Sequence, residues 1–283
     1  MGVCKYCGQK AGFFSHVHKE CEQKHEVGQS QIIQKISDFI IVGGDSGSVE
    51  NNINELADKT YITKDNLSQL FGQGFDTAIA RLTMDGVISE DAENKINDFF
   101  RFWNKSLGGT ITVGESYSKM LKSIILRELL HGAIPTKVDS LKQSLSFNFL
   151  KDEKLIWTEK DIVYCEQKTR THYQGGSSGI SVRIAKGLYY RTSSFRGYPV
   201  QTTAIVSYGT GTIAITDKYI YYTSPSKTFR IKIDKIVAFH PYSDAIGFEK
   251  DSASAKPQLF KNIDGSFYYN LLINLANIDS KEK

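Results

Sequence analysis

Gly211-Thr212-Ile213-Ala214-Ile215-Thr216-Asp217-Lys218-Tyr219-Ile220-Tyr221-Tyr222 is the stretch whose reading decides the fold. Ile213 and Ile215, then Tyr219 and Tyr221, recur at every second position. A period of two belongs to a strand, so the stretch reads as strand, turn, strand. Phe229, Ile231 and Ile233 repeat the alternation downstream. Residues 155–164, 180–192, 200–207, 211–223, 227–239 and 244–249 form short β-branched and aromatic runs separated by glycine, serine, proline and aspartate. Tyr268, Leu271, Leu272, Leu275 and Ile278 then change to helical spacing. The expected order is several antiparallel strands, each with one packed and one wet face, followed by a covering helix.

Upstream, over 31–150, the apolar period is helical. Ile32, Ile33, Ile36, Phe39 and Ile40 predict an amphipathic helix that ends at Gly43-Gly44. Residues 45–48 read as a turn or short linker. Several helices follow through residue 105, one of them capped by Thr63. Another helix is expected over 114–131 and a last one over 138–149. Asp91, Glu93 and Asp98 lack the alternating oxygen ligands and terminal glutamate of a calcium loop, so they read as solvated helix charges. Residues 45–150 hold 14 acidic and 11 basic side chains, a balance of −3. That balance offers no basic recognition helix and fits a protein-facing or scaffolding role.

The amino terminus has a different chemistry. Cys4-Lys5-Tyr6-Cys7-Gly8 is a tight two-thiol knuckle, and Ser15-His16-Val17-His18-Lys19-Glu20-Cys21 follows it. His18 and Cys21 repeat the spacing of the first pair at the expected start of a helix. Cys4, Cys7, His18 and Cys21 would complete a tetrahedral zinc (Zn2+) site, with His16 or His25 as alternatives to His18. Four protein ligands leave no open position, so the expected metal is structural. Residues 1–30 carry only a few large apolar groups, Phe13 and Phe14 among them, too few to fold alone, and coordination would supply the missing stability. This segment, about a tenth of the chain, resembles a short treble-clef-like zinc finger, with a zinc-ribbon-style knuckle followed by a His-x-x-Cys helix start. The resemblance implies binding or structure more readily than catalysis.

The strand-turn-strand at 211–222, the following Lys227-Thr228-Phe229-Arg230-Ile231, Ile236-Val237-Ala238-Phe239 and the helix from Phe267 resemble GRAM and bacterial pleckstrin-homology-like domains. The likeness implies an antiparallel β-barrel with a capping helix that serves as a lipid-, peptide- or protein-binding scaffold. Within it, residues 165–240 carry 11 Lys/Arg against 3 Asp/Glu, a balance of +8. Arg170, Arg183, Lys186, Arg191 and Arg196, interleaved with aromatics, are the candidate contacts for a phosphate group or an acidic protein. Residues 175–179 lack the Gly-Lys-Ser/Thr finish of a phosphate loop and read as a hairpin or rim.

The whole chain of 283 residues is 40% hydrophobic and 23% charged, the proportions of a folded protein, with a net charge of only +4. It has no apolar run long enough to span a bilayer and opens without a secretory signal, so the expected location is cytoplasmic. Cys165, Glu166 and His172 share one expected strand, where the thiol and imidazole would be too far apart to act together. The expectation is an α+β multidomain protein: zinc finger 1–30, helical region 31–150 and a PH-like, GRAM-like β-rich domain 151–280. It would be a noncatalytic intracellular adaptor or sensor that binds a protein, peptide or phosphorylated ligand. Nucleic acid on the basic-aromatic surface, or an anionic lipid surface, is the alternative partner.

Overall fold

The computed structural model describes residues 2–12, 14–84, 86–107, 114–185, 188–251 and 256–281, with side chains outside 106–107, 169–203 and 279–281. The chain forms two compact units, Met1–Ala133 and Ile134–Lys283. The finger belongs to the same unit as the helices, and residues 134–150 belong to the unit that holds the sheet.

The first unit opens with a small hairpin, β1 (Gly2–Val3) against β2 (Lys10–Gly12), and continues with α1 (Lys19–Val42), α2 (Ser46–Lys59), α3 (Lys64–Leu82), α4 (Glu90–Leu107) and α5 (Glu115–Leu130). α1 stops where expected. Gly43 takes φ +85° and its N–H donates to the Phe39 carbonyl at 2.9 Å. The expected linker at 45–48 is instead the start of α2. The Asp45 carboxylate accepts from the Ser48 N–H at 2.7 Å, so an N-cap does the work assigned to a loop. Thr63 caps α3 in the same way, and α3 runs unbroken through both of its apolar stripes.

Ile32, Ile36 and Ile40 of α1 meet Leu70, Phe71, Phe75 and Ile79 of α3 and Ile96, Phe99 and Trp103 of α4 in one core. Phe71, Phe75, Phe99 and Trp103 pack ring to ring at 5.2–6.2 Å. α5 is tied in by polar bonds: Arg127 donates to the Ile88 carbonyl at 2.9 Å and pairs with Glu93, and the Ser123 hydroxyl accepts from the Ile88 N–H. The acidic residues weighed for calcium are thus in ion pairs, Asp91 with Lys95, Asp98 with Arg101 and Glu93 with Arg127.

The second unit contains β3 (Leu155–Ala185), β4 (Leu188–Thr216), β5 (Tyr219–Thr223), β6 (Thr228–Lys232), β7 (Ile236–Pro241), β8 (Ala245–Lys250), β9 (Gln258–Lys261) and α6 (Gly265–Lys281). The strands form a seven-stranded antiparallel sheet in the order β6-β5-β4-β3-β9-β8-β7. The α+β class holds, but the sheet is not closed into a barrel: β6 and β7 are its two edges. The runs expected at 180–192 and 200–207 belong to a single hairpin, because β3 and β4 pair from Leu155↔Thr216 out to Ala185↔Leu188. Residues 175–179, expected as a hairpin or rim, lie in this hairpin, within its strand β3 and with Gly175 opposite Gly197. Ladder bonds come from backbone groups, so glycine and serine can continue a pairing that side-chain pattern does not announce. β9 reaches β3 only at 163–166 and β5 reaches β4 only at 212–215, so the outer part of the hairpin is a two-stranded ribbon.

The strands are buried on both faces near β5, contrary to the expected wet face. Tyr221 is 4% and Tyr222 0% exposed. The expected helix over 138–149 is a short 3-10 turn, Asp139–Ser144, followed by chain without regular secondary structure. Phe147 and Phe149, two residues apart, then lay their rings 5.7 and 5.1 Å from Tyr221 and cover that face. α6 buries Tyr268, Leu271, Leu272 and Leu275, as its spacing predicts, and Phe267 with them, while Ile278 is only half-buried. Among the described residues, no helix is long and apolar enough to cross a membrane.

Two outcomes follow from this packing. An ideal Cβ on Gly74 falls 2.5 Å from the Ile36 side chain and 3.2 Å from the Ile33 carbonyl, so Gly74→Ala forces α1 and α3 apart. Chemical denaturation is expected to show a loss of about 1–3 kcal/mol. Glu166 accepts from the hydroxyls of Tyr164 (2.7 Å) and Tyr208 (2.9 Å) and from Lys227. Burial alone would raise its pKa, but these donors outweigh it and hold the carboxyl at about 2, against an ordinary 4.5. The stability this provides is complete above pH about 4.5 and is lost as pH falls toward 2. Glu166→Gln is expected to flatten the fall of unfolding free energy across that window in acid denaturation series.

A candidate metal centre at the start of α1

The knuckle is shaped by its backbone. The Cys4 N–H donates to the Gln9 carbonyl (2.8 Å) and the Gly8 N–H to the Cys4 carbonyl (3.0 Å), with Gly8 at φ +73°, where a side chain would be strained. Residues 15–18 cross β1 closely. An ideal Cβ on Gly2 would lie 2.1 Å from the Ser15 carbonyl oxygen, and the Lys5 N–H donates to the His16 carbonyl at 2.9 Å. That crossing delivers His18 to the N-cap of α1, with Cys21 in the first turn.

Cys4, Cys7, His18 and Cys21 are thereby brought together, each offering one ligand atom, all within 4.8 Å of one another. They could bind a metal ion. The His18 Nδ1 lies 3.3 Å from the Cys7 Sγ and 3.8 Å from the Cys21 Sγ. A tetrahedral zinc with Zn–S of about 2.3 Å and Zn–N of about 2.05 Å needs an S···N edge of about 3.6 Å, which these distances bracket. The other ring nitrogen, Nε2, donates to the Lys10 carbonyl at 3.0 Å, which leaves the Nδ1 lone pair facing the sulfurs. The donor set and its outer hydrogen bond therefore fit zinc.

The electrostatics point the same way. Burial pushes the Cys4 thiol up, but backbone amides of Cys7, His18 and Tyr6 together outweigh it and bring the thiol down to about 6. The Cys21 thiol is pushed up to about 11, by burial first and then by the neighbouring Cys7 and Cys4 sulfurs. The His18 pKa is raised, chiefly by its bond to the Lys10 carbonyl and then by Cys7. Three sulfurs this close resist sharing the site as thiolates until a cation joins them. The first turn of α1 adds the favourable field of a helix N-terminus.

Neither alternative histidine joins the cluster. His16 is exposed. His25 is buried, with Nδ1 3.0 Å from the Thr60 carbonyl and Nε2 3.2 Å from Gln29. It serves the site indirectly: its ring packs on Tyr6 of the knuckle at 4.6 Å, and Tyr6 in turn stacks with Tyr61 at 6.1 Å. The Tyr61 hydroxyl is acidified less readily than usual because the Cys21 sulfur and burial disfavour its anion. This aromatic support under the knuckle was missed in the sequence. Its only signal there is Tyr6 between the two cysteines.

Of the cationic candidates, Arg170, Arg183, Arg191 and Arg196 lie in the β3–β4 ribbon, opposite Thr202, Tyr189, Ser181 and Gly176. The register puts positions 170 and 196 on one face and 183 and 191 on the other. Their side chains, and Lys186 altogether, lie outside the described residues. Cys165 is buried in β3.

No family model matches the chain. No curated protein matches it either. Among solved structures, the PDZ-RhoGEF DH/PH domains in complex with GTP-γ-S-activated RhoA are similar at 8% sequence identity and a TM-score of 0.26, over 93% of this chain and 74% of that one. A likeness at that score carries no argument about fold or partner.

The metal centre is testable in isolation from any activity. Purified protein is expected to hold one zinc per chain by elemental analysis. Cys21→Ser should weaken zinc at least about 100-fold in competition with a chromophoric chelator, because it removes a ligand outright and not merely an outer partner.

Proposed function

We propose that the chain is a noncatalytic adaptor or sensor with a structural zinc finger. The observation that carries this reading is the Cys4, Cys7, His18 and Cys21 cluster. With three thiolates and one imidazole on the ion, no coordination position is left for a substrate or an activated water. Zinc here would hold the knuckle, the 15–18 crossing and the start of α1 together, which the sparse apolar content of the first residues cannot do.

The sheet-bearing unit is the proposed recognition module, in the manner of PH-like and GRAM-like scaffolds. A seven-stranded antiparallel sheet followed by a C-terminal helix supports that reading. Its partner is a protein or peptide, or a phosphorylated ligand met by Arg170, Arg183, Lys186, Arg191 and Arg196. One observation favours a second reading, binding to nucleic acid. The ribbon beyond the sheet, residues 167–204, contains those five cations and Lys168 but no Asp or Glu.

Recovery of bound material by the zinc-loaded protein from cell extract separates the two. A saturable protein partner that survives nuclease treatment is the expected result. Recovery that depends on nucleic acid, falls steeply with salt and is lost when the five cations are neutralised would favour the second reading. Recovery that requires anionic vesicles would instead place the partner at a lipid surface.

A further inference from the structure

Lys227 is held unusually for a lysine in a hairpin turn. Its ammonium lies 4.2 Å from the ring centre of Tyr208, 5.3 Å from Tyr164 and 5.9 Å from Phe229, and it pairs with the Glu166 carboxylate. Three aromatic faces and one carboxylate around a single cation form an ammonium cage. The cage is built from rigid parts. Tyr164 is 1% exposed on β3, and its ring packs on Phe229 at 4.6 Å and on Tyr208 at 5.8 Å. Glu166 is oriented by both tyrosine hydroxyls.

The occupant is the side chain of a surface turn. Lys227 closes the turn from β5 to the edge strand β6. Its backbone is fixed there: the Lys227 N–H donates to the Ser224 hydroxyl at 3.1 Å, the Ser224 N–H donates to the Lys227 carbonyl at 2.9 Å, and the Ser224 and Ser226 hydroxyls attach the turn to the Tyr208 carbonyl. The lysine side chain is still 28% exposed. The cage therefore opens toward solvent, and a change of contents needs rotation of the Lys227 side chain and not movement of the turn, which is bonded to β4 through the Tyr208 carbonyl.

We propose that the Tyr164, Tyr208, Phe229 and Glu166 cage is a binding site for a lysine side chain of a partner peptide, and that Lys227 fills it in the free protein as a tethered competitor. The carboxylate decides the ligand class. Glu166 accepts a hydrogen bond from the occupant, so a primary ammonium that can donate is favoured over a quaternary one that cannot. The proposal adds a site to the peptide-binding reading and does not depend on the ribbon cations or on zinc. Lys168 places a second ammonium 5.1 Å from the Tyr208 ring centre.

The test uses full-length, zinc-loaded Lys227→Ala, with its fold checked by amide NMR spectra. Lys227→Ser serves in its place if the alanine variant does not fold. Nα-acetyl-lysine amide and tetramethylammonium are titrated while the Phe229 and tyrosine ring resonances are followed. The variant is expected to bind acetyl-lysine amide at least about tenfold more tightly than the intact protein does, because the tethered competitor is gone. It should also prefer acetyl-lysine amide over tetramethylammonium by about tenfold, the worth of the charged hydrogen bond. Adding Tyr208→Leu should abolish both effects. A folded Lys227 variant that binds neither probe would overturn the proposal, and so would equal affinity in the intact protein or binding that survives Tyr208→Leu. Preference for tetramethylammonium would reassign the cage to quaternary ammonium headgroups and overturn the lysine assignment.

Discussion

The first unit depends on the continuity of α1. Cys21, His25, Gly28, Ile32 and Ile36 follow one another at spacings of 4, 3, 4 and 4 residues. At about 100° per residue they share one face of the helix, within an arc of about 80°. That single face does three jobs along its length. Its first turn presents a thiol to the knuckle, its second packs an imidazole under Tyr6, and the remainder enters the helical core. Gly28 allows the middle of the face to touch Thr60, whose side chain lies 2.3 Å from an ideal Cβ at that position. The four-donor cluster and the bundle therefore share one rigid hydrogen-bonded element. An amino-terminal segment with few apolar residues gains a firm floor that its own sequence cannot build.

The sheet-bearing unit rests on a different device. Carboxylates withdrawn from water are met by tyrosine hydroxyls: the buried Glu153 by Tyr221, and the half-buried Glu159 by Tyr268 and Glu166 by Tyr164 and Tyr208. Each pairing lets an aromatic ring fill apolar space while its polar end satisfies an acid that would otherwise be costly to bury. Burial, then the adjacent carboxylate, holds the hydroxyls of Tyr221 and Tyr268 above their ordinary pKa, so they remain donors. Glu166 differs in taking a lysine as well, and that excess of partners makes its surroundings a cage and not only a structural bond.

Several of these features are visible in the order of residues. The knuckle spacing and the His18-to-Cys21 step identify the metal cluster, because ligands three apart at a helix start return to the same side. Apolar periods of 3.6 locate α1, α3, α5 and α6, and alternation locates the strands from 211 onward. The errors fall where local pattern and tertiary partner disagree. Val138, Leu141, Leu145 and Phe149 share helical spacing, yet Phe147 and Phe149 are used at a period of two because Tyr221 lies beneath them. Residues 45–48 look like a linker because serine and glycine serve equally in turns and in the first turn of a capped helix.

The sequence by itself determined which residues could hold a metal, where the strands begin, and that a helix follows the sheet. These are local properties, set by donor chemistry and by the repeat of apolar side chains within one element. Only the tertiary structure decided that His18 and not His16 or His25 meets the three sulfurs, since that depends on the close crossing over Gly2. Only it showed that the sheet stays open between β6 and β7, because strand order is set by long-range pairing that no single run encodes. It alone brought Lys227 to Glu166, 61 residues away in the chain, where adjacent strands turn scattered aromatics into one enclosure.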